Sequence, residues 1–116
     1  HWFMLNKGEV LGYTKAIWSG ITTLELAKVI EKAIYHDLTG LYHVTNGVKI
    51  SKYELLNLIK KVWYKNDIKI KPFENYFVDK SLIKSQRFSF YVPDYETMLI
   101  EMKEKMAQIN RYPFYS

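Results

Sequence analysis

The sequence predicts an α/β protein with a small, few-stranded parallel sheet and three main helices. Three segments begin at a capping residue and continue with apolar residues at helical spacing, which predicts helices over about 23–36, 51–63 and 95–109. Between them, residues 41–44 form a short apolar run bounded by glycines, and residues 67–71 alternate polar and apolar side chains up to a proline. Two such strands separated by a helix predict parallel pairing through a right-handed crossover.

The first residues look like the end of a helix. The run HWFMLN is apolar and lacks the basic start and small-residue cleavage site of a signal peptide, and Gly8 is available for the left-handed position after a helix. We therefore expect residues 1–6 to be the tail of a helix that belongs to a preceding domain of a longer protein. Residues 9–18 mix β-branched and aromatic side chains, which predicts one or two short strands or an extended loop.

The stretch around Trp18 and Gly20 leads into the first main helix. Thr22 and Glu25 have the spacing of a capping box, in which the threonine oxygen accepts a backbone N–H and the glutamate returns to the cap. An apolar stripe follows, and we expect it to pack against another element; its residues are Leu26, Ile30, Ala33 and Ile34.

The second and third helices carry the same kind of start. Ser51 and Glu54 repeat the capping-box spacing, and Asp94 can cap the third helix after Pro93. Each helix has an apolar stripe, formed by Leu55, Ile59, Val62 and Trp63 in one and by Tyr95, Met98, Leu99, Met102, Met106 and Ile109 in the other. Residues 73–92 show no long period and are expected to be irregular.

Composition narrows the classes of function. A length of 116 residues predicts one domain, and the absence of cysteine excludes disulfides, thiolate metal sites and a cysteine nucleophile. No apolar run approaches the length of about 20 residues that spans a bilayer. The net charge of +5 comes mostly from lysines scattered along helices, which favours solvated faces over a nucleic-acid surface. We expect a cytoplasmic protein that binds neither membrane nor nucleic acid.

The sequence gives no complete catalytic or metal site. His36 falls at a helix end and His43 in a predicted buried strand, so both are interpreted as structural, and no histidines have metal-ligand spacing. The glycines do not form a phosphate-binding loop. Tyr76 and Lys80 have the Y-x-x-x-K spacing of a catalytic pair, but Pro72 and Asn75 disfavour the helix that this chemistry needs. We predict neither catalytic residues nor a cofactor or metal site in this chain.

Several segments together resemble the C-terminal part of extended short-chain dehydrogenase/reductases that act on nucleotide sugars, of the dTDP-4-dehydrorhamnose reductase type. Residues 20–27 (GITTLELA) are similar to the family's helix start, and residues 39–44 (TGLYHV) to its Gly-x-Tyr-His strand. Residues 51–55 (SKYEL) fit the next helix start, and residues 79–82 (DKSL) with Arg87 and Phe88 resemble a late segment near the sugar nucleotide. The family's proline before threonine and its late Arg-Pro pair are not matched.

The resemblance implies that residues 1–116 are one substrate-binding domain and that the catalytic tyrosine and lysine, the glycine fingerprint and NADP or NAD belong to a missing Rossmann domain of the same polypeptide. The parent protein would reduce or epimerise a nucleotide-linked keto-sugar. By position in the matching motifs, the substrate-side contacts are Thr22, Thr23, Ser81 and Arg87. Trp18 or a nearby aromatic ring would pack on the base or the sugar, and Arg87 would neutralise phosphate.

A second hypothesis belongs to a different class. A stand-alone adaptor would use the apolar tail 1–5 and the methionine stripe 98–106 to bind a partner helix. Under the first hypothesis, the chain is also expected to form a dimer through exposed apolar surface.

Overall fold

The computed structural model describes residues 1–88 and 90–109. These residues form four helices and three strands in the order α1 (Trp2–Leu5), β1 (Gly8–Trp18), α2 (Thr23–Tyr35), β2 (Ile50–Ser51), α3 (Lys52–Val62), β3 (Ile68–Asp79) and α4 (Tyr95–Ile109). The α/β class, the small sheet and the three main helices are confirmed. The described residues contain no helix with the length and apolar character that crossing a membrane requires.

The sheet is mixed, and its main pairing is parallel. The strand order is β2-β1-β3: β1 runs parallel to β3 from Gly8 opposite Ile68 to Ile17 opposite Asp79, with a register shift after Tyr13. The short β2 pairs antiparallel with the end of β1. The parallel pairing was predicted, but the strands that form it are different from those expected.

The prediction of a strand at residues 41–44 is wrong, because these residues form no strand. The backbone N–H of His43 donates to Ser85 Oγ at 2.5 Å, and its ring nitrogen Nδ1 lies 3.0 Å from the carbonyl oxygen of Ile83. Tyr42 and Val44 pack against the apolar core. The parallel partner of β3 is therefore β1, and the irregular region expected from residue 73 begins only after Asp79.

The helices begin as their caps predict. Thr22 Oγ1 accepts from the backbone N–H of Glu25 at 3.2 Å at the start of α2. Ser51 and Glu54 form a complete capping box at the start of α3. Asp94 Oδ1 accepts from the backbone N–H of Thr97 at 2.7 Å in the first turn of α4. Each cap of this kind stabilises its helix by about 1 kcal/mol, so short local patterns fix where the helices start.

Two apolar clusters hold the chain together. One lies between the sheet, α1 and α3 and comprises Phe3, Val10, Leu56, Ile68 and Ile70. The other joins α2, α4 and the segment before α4 and comprises Val29, Ile50, Phe90, Val92, Tyr95 and Met98. The molecule is flat, with principal extents of 47 × 38 × 17 Å. Helix α3 covers one face of the sheet, whereas Leu11, Lys69 and Lys71 on the strands remain exposed.

The apolar stripe of α2 is turned away from the described core. Val29 and Ala33 pack inward, whereas Leu26, Ile30 and Ile34 are 42%, 50% and 70% exposed. The expectation that this stripe packs on another element is not met within the described residues. Helix α4 and the segment before it pack against the side of α2 that carries Val29. Within the described residues, the side that carries Leu26, Ile30 and Ile34 faces solvent.

Gly12 allows α3 to lie close to the sheet. A Cβ atom at this position would lie 2.6 Å from Tyr53 Cδ2 and 2.7 Å from Ile70 Cγ2, and only 3.1 Å from the Tyr53 backbone. We expect Gly12→Ala to lower the free energy of unfolding by about 1–3 kcal/mol because it overpacks this contact. Urea unfolding measures the change, and Lys71→Ala on the exposed side of β3 serves as the control with a change of at most about 0.5 kcal/mol. Equal effects of the two substitutions would contradict the close packing.

Neighbouring positions on α2 test which side of this helix is buried. Val29→Gln places a polar amide in the core and should lower the free energy of unfolding by at least about 2 kcal/mol. Ile30→Gln changes an exposed side chain and should alter it by no more than about 0.5 kcal/mol. Chemical unfolding followed by circular dichroism compares them. A larger loss from Ile30→Gln than from Val29→Gln would mean that the helix is rotated.

Candidate functional site

A cleft of about 510 Å³ opens beside the parallel pair of strands. It lies toward the carboxyl ends of β1 and β3, the edge at which open α/β sheets place their ligands. The N-terminal turn of α3 forms another wall. The lining residues are Tyr13, Ala16, Ile17, Trp18, Lys52, Leu55, Tyr76, Val78 and Lys80. We call it the aromatic–lysine cleft.

Aromatic rings line the cleft from both strands. The rings of Tyr13 and Tyr76 are 5.3 Å apart, and Phe73 contacts Tyr13 edge-on at 5.5 Å. Trp18 ends β1 and is 37% exposed, and Tyr76 is 51% exposed, so part of each residue is accessible to a ligand. Aromatic rings can stack on a planar base or on the apolar side of a sugar ring.

Lysines supply the positive charge of the cleft. Lys52 is the first residue of α3, and its Nζ lies 5.3 Å from the centre of the Tyr13 ring. Lys80 follows β3 directly, and its backbone N–H donates to the carbonyl oxygen of Ile17 at 2.9 Å, which fixes its Cα against β1. Ammonium groups beside stacking rings suit a ligand that combines a ring with an anion, such as a phosphate.

The predicted contacts Thr22, Thr23 and Ser81 lie near the Trp18–Gly20 corner. Thr22 uses its hydroxyl oxygen in the cap of α2, and Thr23 is the exposed first residue of that helix. Ser81 donates its hydroxyl to Asp79 Oδ1 at 2.5 Å. The buried Ser19 holds Leu82, the residue after Ser81, because its Oγ accepts from the backbone N–H of Leu82 at 2.7 Å.

Arg87, the fourth predicted contact, lies at the other end of α2. Its guanidinium stacks over the Tyr42 ring at 5.4 Å and lies beside Gly40. The adjacent Phe88 contacts the ring of His36, the C-terminal cap of α2, at 5.2 Å. A helix of this length spans about 20 Å, so the structure does not bring Arg87 together with the threonines. The role of all four residues in binding stays a prediction.

Tyr13, Tyr76, Lys52 and Lys80 were not identified as binding residues from the sequence. Tyr76 lies in β3 and Lys80 follows it, so their Y-x-x-x-K spacing falls on a strand and not on a helix, as expected. The strand β3 continues past Pro72, but its buried and exposed residues no longer alternate there, so the pattern of residues 67–71 does not extend to Tyr76. Among the residues that the structure describes, no group of three or more histidine, aspartate or glutamate side chains could hold a metal ion.

The fold is similar to that of part of the enzymes that reduce nucleotide-linked sugars. A dTDP-4-dehydrorhamnose reductase from Bacillus anthracis, solved in complex with NADP, matches 88% of this chain with 18% identity and a TM-score of 0.73, over 39% of its own length. A dTDP-4-dehydrorhamnose reductase from Clostridium acetobutylicum matches 85% of the chain with 17% identity and a TM-score of 0.68, again over 39% of its length. A GDP-6-OMe-4-keto-L-xylo-heptose reductase from C. jejuni matches 90% with 15% identity and a TM-score of 0.62, over 35% of its length.

These likenesses confirm, at the level of the fold, the resemblance that the sequence motifs predicted. The chain spans less than half the length of each of these reductases. No protein-family profile matches the sequence, and no curated protein matches it significantly.

Asp79 provides a test of the geometry at the end of β3. Hydrogen bonds from the Ser81 hydroxyl and backbone N–H, then the Lys49 ammonium at 3.0 Å, lower the pKa of its carboxyl to about 2. Because the folded pKa is lower than the unfolded one, the stabilisation is present above about pH 4 and is lost as the pH falls toward 2.

We expect Ser81→Ala to raise the pKa of Asp79 toward its ordinary value. Carboxyl-carbon NMR titration should show Asp79 taking up its proton at a higher pH in the variant than in the unsubstituted protein, and still below its ordinary pKa because the backbone N–H of residue 81 and Lys49 remain. The carboxyl of Asp67, whose pKa is lowered by Lys65, should titrate identically in both proteins. An unchanged Asp79 titration would mean that the hydrogen bond from Ser81 is not formed.

Proposed function

We propose that this chain is the substrate-binding part of a nucleotide-sugar reductase or epimerase and is catalytically incomplete alone. The aromatic–lysine cleft carries the proposal, because it combines stacking rings and ammonium groups at the carboxyl edge of a sheet whose fold is shared with such reductases. A nucleotide-linked sugar has the matching parts: a planar base, a sugar and a diphosphate. The proposed substrate class is a dTDP-linked or similar keto-sugar.

Each part of the substrate has candidate contacts. Trp18 stacks on the base or the sugar, and the ammonium groups of Lys52 and Lys80 attract the diphosphate. Ser81 follows Lys80 directly and is a candidate hydrogen-bond partner for the sugar. Arg87 meets phosphate only if the ligand extends beyond the cleft, since it stacks on Tyr42 at the far end of α2.

The hydride-transfer chemistry is proposed to belong to a Rossmann domain of the same polypeptide. The B. anthracis structure contains NADP, which supports NADP or NAD as the cofactor of the parent protein. The exposed side of α2, formed by Leu26, Ile30 and Ile34, is an apolar surface of the kind that packs against another domain. We propose that the Rossmann domain covers it and that dimer formation through this surface is the competing outcome in the isolated chain.

The alternative of a stand-alone adaptor is not supported. Each of its two binding elements uses a residue for the core, since Phe3 in the N-terminal helix is 5% exposed and Met98 in α4 is 2% exposed, although Trp2 and Leu5 are 56% and 55% exposed. The Phe3 and Met98 side chains belong to the apolar clusters. They therefore hold this chain together and are not available to a partner helix.

Binding of a dTDP-sugar tests the proposal. Calorimetry or ligand-observed NMR should detect weak binding to the unsubstituted chain and about tenfold weaker binding to Trp18→Ala and to Lys80→Ala, because stacking and charge are each lost. Arg87→Ala tests the contact predicted from the sequence and should weaken binding only if the diphosphate reaches Tyr42. Lys71→Ala is the charge-matched control outside the cleft and should leave binding unchanged.

The outcomes separate the possible sites. Loss on Arg87→Ala with no loss on Lys80→Ala would move the diphosphate away from the aromatic–lysine cleft. Absence of binding to the folded, unsubstituted chain would contradict a substrate site that this part carries by itself.

A further inference from the structure

The indole ring of Trp18 folds back over the backbone of Gly20. A Cβ atom on Gly20 would lie 1.8 Å from Cζ2, 2.2 Å from Cε2 and 2.7 Å from Cη2 of that ring. Atoms cannot approach so closely, so any side chain at position 20 forces the indole to move. Unlike Gly8, Gly40 and Gly47, this glycine has no positive φ angle. Its role is to leave space for the ring and not to relieve backbone strain.

Tyr95 contacts the indole from the start of α4. The Trp18 and Tyr95 rings are 6.2 Å apart with an angle of 30° between their planes. Tyr95 is itself fixed, since it is 8% exposed and its hydroxyl donates to the carbonyl oxygen of Val48. Gly20 and Tyr95 therefore restrict the indole, while 37% of Trp18 remains accessible.

We propose that Gly20 is a positioning residue that fixes the Trp18 indole as a rigid wall of the aromatic–lysine cleft, and that this wall is the subsite for the planar base of a nucleoside diphosphate. The inference rests on the proposed function and deepens it by assigning the base to one wall. A ring that is already fixed loses little conformational entropy when a ligand stacks on it. The ammonium groups of Lys52 and Lys80 then receive the diphosphate.

This assignment separates two ligand chemistries. A nucleoside diphosphate such as dTDP uses both the indole and the lysines, whereas inorganic pyrophosphate uses only the lysines. Substitutions that displace the indole should therefore weaken dTDP binding and leave pyrophosphate binding unchanged. Lys80→Ala should weaken the binding of both.

The ring position is tested first without ligand. The indole N–H signals of Trp2, Trp18 and Trp63 are resolved by ¹⁵N-correlated NMR and assigned with Trp18→Phe. Gly20→Ala should shift the Trp18 signal and make its indole more accessible to solvent, with the other two signals unchanged. Lys71→Ala on the exposed side of β3 is the control, because it lies outside the residues that line the cleft and should leave all three signals unchanged.

Ligand binding is then measured in a double-substitution cycle. In the Trp18 background, Gly20→Ala should weaken dTDP binding about tenfold. In the Trp18→Phe background the same substitution should have almost no effect, because the smaller ring leaves room for the added methyl group. This rescue would not occur if Gly20→Ala merely destabilised the fold.

Two results would overturn the positioning role: an unchanged Trp18 signal in Gly20→Ala, or an equal loss of dTDP binding in both backgrounds. Equal losses of dTDP and pyrophosphate binding in Gly20→Ala would overturn the base subsite. The unsubstituted chain could bind neither ligand while the Trp18 signal shifts as expected in Gly20→Ala. That result would contradict the substrate-binding function and the base subsite, but it would support the positioning of the indole by Gly20.

Discussion

The parallel pairing of β1 with β3 is the constraint on which the rest of the structure depends. The two strands are joined by a connection of some fifty residues that contains α2, β2 and α3. Closing a loop of that length costs on the order of 3–4 kcal/mol of chain entropy, beyond a constant that is paid by any loop. The pairing persists because Val10, Ile68 and Ile70 bury apolar surface against Leu56 of α3. The same pairing places the aromatic residues of the two strands side by side and so creates the cleft.

The starts of the helices could be predicted from the sequence, whereas the pairing of the strands could not. A cap such as Ser51 with Glu54 is a contact between residues three apart, and its stabilisation does not depend on the rest of the chain. A strand depends on a distant partner. Residues 41–44 have the composition of a buried strand, but the His43 backbone N–H bonds to a serine hydroxyl forty-two residues away in the sequence. Apolar composition alone therefore gave the wrong strand.

The candidate site shows the same division. Trp18 or a nearby aromatic ring was named from the sequence as a stacking group on the basis of the family resemblance, and Trp18 lies two residues before Gly20. Tyr76 and Lys80 enter the cleft only through the register of β3 against β1, in which Val78 lies opposite Ala16. The hydroxyl groups of Thr22 and Ser81 were predicted to contact substrate, but one caps a helix and the other bonds to Asp79. A hydroxyl at a helix start or strand end often forms a hydrogen bond to a neighbouring residue, which a sequence motif does not reveal. Such a hydroxyl can contact a ligand only if it shares or exchanges that hydrogen bond.

The exposure of the cleft limits what it can do alone. Trp18 is 37% exposed and Tyr76 is 51% exposed, so a ligand that contacts them remains partly in water. One-sided stacking leaves the other face of a base in water, and exposed ammonium groups lose much of their attraction at physiological salt. Strong binding therefore needs a second surface that closes over the cleft. The apolar side of α2 that carries Leu26, Ile30 and Ile34 is likewise uncovered by the described residues, and under the proposed function a partner surface would cover both this side and the cleft.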